Sequence, residues 1–92
     1  MIECRVVITN RLGLHARAAA LLVRTANKFQ STLRLERMDA AAIADAKSIL
    51  SVLMLAAARG TELRLTADGV DEKEAMTALG ELFAQGFGEN EA

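Results

Sequence analysis

Ile2-Glu3-Cys4-Arg5-Val6-Val7-Ile8-Thr9 opens the chain with a period of two. Ile2, Cys4, Val6 and Ile8 fall on one side of an extended backbone, and Glu3, Arg5 and Thr9 on the other. This predicts a strand with one face in a core and one in water. The alternation returns in Thr32-Leu33-Arg34-Leu35-Glu36-Arg37, with Leu33 and Leu35 inward. It returns again in Thr61-Glu62-Leu63-Arg64-Leu65-Thr66, with Leu63 and Leu65 inward. Strands buried on one side only belong to a mostly antiparallel sheet with its helices gathered on one face.

Between these stretches the period changes to 3.6. From about Ala16 to Phe29, the residues Ala19, Leu22, Val23, Ala26 and Phe29 form one apolar stripe, and Arg17, Arg24 and Lys28 lie toward solvent. Ser48 to Ala58 is almost wholly apolar and is followed by Arg59-Gly60, which predicts a short helix with Gly60 as its stop. A last helix is expected from about Asp71 to Phe83 or beyond. Asp71, Glu72 and Glu74 complement the dipole of its first turn, and Ala75, Leu79, Leu82 and Phe83 make its apolar stripe. Asn10-Arg11-Leu12-Gly13 reads as a loop, Asp68-Gly69 as a turn, and a turn near Asp39 leads to a short strand near Ala41–Ala44. The order is β-α-β-β-α-β-α. It predicts one α+β domain over residues 1–92, an open-faced two-layer sandwich with a four-stranded, mostly antiparallel sheet and three helices on one face.

Composition narrows the function. Apolar residues are 52% and charged residues 25% of the 92, which excludes disorder. No apolar run reaches the ~20 residues of a bilayer span, so no membrane insertion is expected. Met1-Ile2-Glu3-Cys4-Arg5 lacks a basic region followed by an apolar core, so no export signal is expected. Cys4 is the single cysteine, which excludes an internal disulfide and fits a reducing, cytoplasmic setting. With one histidine and one cysteine, a zinc site is not expected. There is no Trp or Tyr and there are three Phe, so a base-stacking platform and a nucleic-acid partner are not expected. Residues 1–37 carry a net charge of +5 and residues 38–92 a net of −6. That split is either an ordinary solvated surface or a basic patch that steers an acidic protein or a phosphate to the N-terminal half.

The single histidine, His15, follows Leu12-Gly13-Leu14 and precedes a predicted helix. Gly13 frees the loop to place the imidazole at the helix N-terminus, where backbone N–H groups lack partners and the dipole favours an anion. Arg17 lies two residues on. A nucleophilic nitrogen, a donor-rich helix end and a guanidinium are the parts needed to accept and hold a phosphoryl group. The competing reading makes His15 a helix cap or a solvated surface residue.

Gly13-Leu14-His15-Ala16-Arg17-Ala18-Ala19 is similar to the active-site segment of the HPr family, the histidine phosphocarriers of the bacterial phosphoenolpyruvate-dependent phosphotransferase system. Ala46-Lys47-Ser48-Ile49-Leu50 resembles the family's regulatory-serine motif, and the likeness runs through nearly the whole chain. The family's open-faced β-sandwich agrees with the element order above. The resemblance implies that phosphorylated enzyme I passes a phosphoryl group to Nδ1 of His15 and that Arg17 helps to hold it. The group then goes to a histidine of an enzyme IIA domain. It implies a covalent carrier, in the sugar or the nitrogen branch, without a cofactor and without turnover of its own. A monomer is expected. Two departures stand out: Ala18 replaces the proline common after the arginine, and the stretch between the motifs is about two residues longer than in the best-known members. Loss of that proline should loosen the first helical turn.

Ser48 has two compatible readings. As an N-cap its oxygen would accept the N–H of Ser51. As a regulatory site it would be the target of a Ser-specific HPr kinase/phosphorylase, and its phosphate would add charge near the docking surface. Ile49, Leu50 and Leu53 are either core or part of an exposed apolar patch that docks an acidic partner together with Ala16, Arg17 and Arg24. The rival to the carrier as a whole is a non-phosphorylated interaction module on the same fold, with a structural His15.

Overall fold

The computed structural model describes residues 1–89. Strand β1 (Ile2–Val7) leads into helix α1 (Ala16–Ala26), then β2 (Thr32–Arg37) and the short β3 (Ile43–Asp45). Helix α2 (Ile49–Met54), β4 (Glu62–Asp68) and α3 (Glu72–Ala84) follow, and a 3-10 turn at Gly86–Gly88 closes the described chain. The sheet order is β1-β4-β2-β3, and every pairing is antiparallel. No helix among the described residues is long and apolar enough to cross a membrane.

The alternation in the strands does what the pattern predicts. Leu33 and Leu35 of β2 and Leu63, Leu65 and Ala67 of β4 are buried beneath the helices. They meet Ala18, Ala19, Leu22 and Ala26 of α1 and Ala75, Leu79 and Phe83 of α3 in one core. The opposite face of the sheet is charged. Arg64 at its centre reaches Glu3 on β1 and Glu36 on β2, each at 3.5 Å, and Arg5 pairs with Glu62 at 3.6 Å. Exposed pairs of this kind add little stability each, but they keep the open face wet.

Strand β1 ends at Val7 rather than Thr9. Strand β4 runs Glu62–Asp68 rather than Thr61–Thr66, so Asp68 closes the strand. Three further boundaries differ from the sequence reading. Helix α1 stops at Ala26 rather than near Phe29, because Asn27 closes it: its backbone N–H and its Nδ2 both donate to Val23 O at 2.9 Å. The strand expected at Ala41–Ala44 is Ile43–Asp45, set by Leu35↔Ala44 in the β2–β3 register. Helix α2 has six residues, and Gly60 does not stop it. The stop is Ala56, in the left-handed region at φ 50. Leaving the helix there lets both Leu55 and Ala57 reach the core. The freed carbonyls find a donor in Arg37, whose Nη1 donates to Leu55 O at 2.9 Å and to Ala56 O at 3.4 Å.

A second polar tie joins the far end of the sheet to α3. Asp71, the N-cap residue of α3, makes no capping bond within its own helix. Its carboxylate instead accepts from Gln30 N (2.9 Å), Ser31 N (3.0 Å) and Ser31 Oγ (2.5 Å), at the entry to β2. These donors, Ser31 Oγ first, hold its pKa below the ordinary carboxylate value.

Candidate functional site

The loop from Asn10 to His15 is shaped by two backbone bonds. Gly13 N donates to Asn10 O at 3.1 Å, and Leu14 N donates to Ala57 O at 2.9 Å. Gly13 takes φ +67, and a Cβ there would stand 2.5 Å from the Ala57 oxygen. The backbone thus passes against the segment after α2 at a place where only glycine fits. This sets His15 as the residue before α1, with extended φ −77 and ψ 180.

His15 makes no side-chain capping bond, so its imidazole is not engaged with its own helix. Its carbonyl accepts the first helical bond, from Ala19 N at 2.8 Å. The backbone N–H groups of Ala16, Arg17 and Ala18 precede that bond and face the start of the helix, the end that favours an anion. The imidazole is partly exposed, at 26%. Its Nε2 is hydrogen-bonded to Oε2 of Glu89. No hydrogen bond reaches Nδ1 among the described residues.

Glu89 and Asn10 are the two site residues that the sequence reading missed. Glu89 arrives from the other end of the chain. The Gly86-Phe87-Gly88 turn buries Phe87 beside Phe83, with ring centroids 5.0 Å apart and planes at 71°. Phe87 sits at φ 58 between two glycines of positive φ, a reversal that returns the chain toward α1. Asn10 Nδ2 donates to Glu89 Oε1 at 2.9 Å and to Gly13 O at 2.8 Å. Arg17 Nη1 lies 3.8 Å from Glu89 Oε2 and donates to Phe87 O at 3.4 Å. The Asn10 amide, followed by His15 and Arg17, lowers the pKa of Glu89 against a rise from partial burial. Its carboxyl is therefore ionised at neutral pH and can only accept. The visible signal for this contact was the glycine-bracketed Phe87, which marks a tight turn around a core anchor.

The other candidate residues lie along α1 and α2. Arg17 is 58% exposed, and Ala16 and Arg24 also face solvent. Helix α2 buries only Val52, leaving Ile49, Leu50 and Leu53 exposed, with Leu50 at 66%. Met54, not singled out in the sequence, is 75% exposed and extends the same apolar surface. Ser48 caps α2 by accepting from Ser51 N at 3.3 Å, as its spacing implied.

The two helices run in opposite directions. Ahead of α2, Lys47 O accepts from Asn27 Nδ2 at 3.2 Å and Lys47 Nζ donates to Phe29 O at 2.7 Å, both just past the end of α1. After α2, Ala57 meets Leu14 at the start of α1. Ser48 and His15 therefore stand at opposite ends of the pair, about 15 Å apart along α1 at ~1.5 Å per residue.

The family model describing the phosphorylation site of the phosphotransferase-system HPr component matches residues 2–85. The chain is 49% identical over 90 residues to the phosphocarrier protein HPr of Xylella fastidiosa (strain 9a5c), covering 98% of this chain and 99% of that protein. It is 44% identical over 86 residues to the phosphocarrier protein NPr of Proteus mirabilis, covering 94% of each. Among solved structures, HPr-C-His from Thermoanaerobacter tengcongensis superposes with a TM-score of 0.92 at 42% identity, covering 99% of this chain and 100% of that one.

Proposed function

Since the chain belongs to the HPr/NPr phosphocarrier family of the phosphotransferase system, we propose that it accepts a phosphoryl group from phosphorylated enzyme I on Nδ1 of His15 and delivers it to a histidine of an enzyme IIA domain. The observation that carries this reading is the position of the only histidine. It precedes α1, its Nε2 is occupied by Glu89, and among the described residues its Nδ1 has no hydrogen-bond partner beside the donor-rich end of the helix. A nucleophilic nitrogen there can receive the phosphoryl group, while the helix N–H groups and the exposed guanidinium of Arg17 hold its oxygens. The protein is a covalent carrier and needs no cofactor for this step. It works as a monomer in the cytoplasm.

The docking face in this reading is the α1–α2 surface. Ile49, Leu50 and Leu53 supply apolar contact, and Ala16, Arg17 and Arg24 border it with a small residue and two cations. Apolar contact with a basic border suits an acidic partner surface. Ser48 is the target of a Ser-specific kinase at the distal end of that face. The experiment is incubation of the full chain with enzyme I and phosphoenolpyruvate, followed by intact mass measurement. One added phosphoryl group in the wild type and none in His15→Ala is the result expected. An equal adduct on His15→Ala would overturn the assignment.

A further inference from the structure

Glu89 lies four residues beyond the matched family span, which ends at residue 85, and it makes three contacts within the site. Its Oε2 bonds His15 Nε2 and lies 3.8 Å from Arg17 Nη1, and its Oε1 accepts from Asn10 Nδ2 at 2.9 Å. Its side chain is only 16% exposed. Asn10 is buried with Oδ1 unpaired among the described residues, so its amide is oriented by the two acceptors on its Nδ2 side, Gly13 O and Glu89. Burying an unpaired oxygen is unfavourable, and the two bonds from Nδ2, one of them to a carboxylate, offset that cost.

We propose that Glu89 is a positioning residue for phosphoryl acceptance, fixing the proton of His15 on Nε2 so that the lone pair stays on Nδ1. The inference rests on the carrier reading above. An ionised carboxylate has no proton to donate, so the nitrogen it meets must be the donor. In a neutral imidazole the other nitrogen then carries the lone pair. During transfer that lone pair forms the new N–P bond. The bond between phosphorus and the donor atom of enzyme I breaks, and its electron pair stays with the donor. The proton remains on Nε2, so the ring gains positive charge as the bond forms. Glu89 faces that charge across one hydrogen bond, whereas the phosphoryl oxygens gather at the opposite edge of the ring. Attraction to the ring therefore outweighs repulsion from the phosphoryl group.

The test uses the full chain with 15N-labelled histidine, as wild type, Glu89→Gln and Glu89→Asp. Gln keeps one acceptor oxygen for Asn10 Nδ2, so the variant retains the loop, and it sets an NH2 donor in place of the charged oxygen that faces His15 Nε2. In the wild type, His15 should show a downfield, hydrogen-bonded Nε2–H signal and an unprotonated Nδ1. In Glu89→Gln that signal should move upfield or broaden by exchange. Its maximal rate of phosphoryl acceptance from enzyme I should fall about tenfold, the loss of one charge-assisted hydrogen bond, with KM nearly unchanged. Glu89→Asp should recover part of the rate. An Nε2–H signal unaltered by Glu89→Gln, or a rate that is unchanged or faster, would overturn the proposal. A wild type that accepts no phosphoryl group would instead overturn the carrier reading. The ring signals read the Glu89 contact independently of that result.

Discussion

Leu14 N donates to Ala57 O at 2.9 Å, so the residue before the histidine is anchored to the segment that follows α2. The site loop and the exposed apolar helix are thereby one mechanical unit. Gly13 makes the anchor possible by letting the backbone approach. Gly13→Ala would combine a left-handed alanine with a Cβ 2.5 Å from Ala57 O and 2.9 Å from Ala58 Cα. The expected loss of stability is about 3 kcal/mol. Urea denaturation measures it, and a loss well under 1 kcal/mol would mean that the loop shifts freely off Ala57.

Arg17 rests against Phe87 O and Glu89 rather than against His15. Both contacts are long and the side chain is 58% exposed, so the guanidinium can be redirected toward charge that develops on an incoming phosphoryl group. Arg17→Ala should therefore slow transfer about 10- to 100-fold, while docking to enzyme I weakens much less. Rapid-quench kinetics together with calorimetric binding separates the two. Equal losses in both would make Arg17 a docking charge only.

The distance between Ser48 and His15 shapes the next expectation. A negative charge at position 48 joins the N-terminus of α2, where the dipole tolerates it, so Ser48→Asp should keep its thermal stability. In the proposed docking mode it would also face an acidic partner at the distal end of the α1–α2 surface. Binding of enzyme I should weaken at low salt and recover as salt is added, with the transfer rate at saturation unchanged. Calorimetry at two ionic strengths checks the binding. Unaltered affinity at low salt would place Ser48 outside the interface.

Asp71 ties α3 to the entry of β2 through three donors, and its folded pKa is lowered. A carboxylate with a depressed folded pKa contributes fully above its unfolded value. That contribution disappears as pH falls through the ordinary carboxylate range to the folded value. Wild type should thus melt well above Asp71→Asn at neutral pH, and the gap should narrow on acidification. Thermal melts of both proteins across pH 3–7 test this. A gap that is constant with pH would show that the charge of Asp71 contributes nothing.

Strands β1, β2 and β4 were readable because each spans six or seven residues with a period of two, and Leu33, Leu35, Leu63 and Leu65 all point where the pattern puts them. The three-residue β3 is too short to show a period and was placed two residues early. The start of α1 and the Ser48 cap were readable because their signals are local. The end of α2 was not. A glycine four residues further on was the obvious stop, but burial of Leu55 and Ala57 forces a left-handed alanine at position 56. Nor was the site complete in the sequence. His15 and Arg17 stand together in one motif, whereas Glu89 reaches His15 and Asn10 across 74 and 79 residues. No periodicity encodes such a contact. The packing of Phe87 against Phe83, with the Arg17 bond to Phe87 O, brings that end of the chain to the site.

In the proposed function His15 receives the phosphoryl group at Nδ1. Its most direct measurement is 31P and 15N NMR of the 15N-histidine-labelled chain after phosphorylation by enzyme I and phosphoenolpyruvate. A single phosphorus signal, a shift of the His15 Nδ1 resonance on bonding to phosphorus, and a proton retained on Nε2 are expected. Phosphorus bonded to Nε2, or a signal that persists undiminished in His15→Ala, would contradict that assignment.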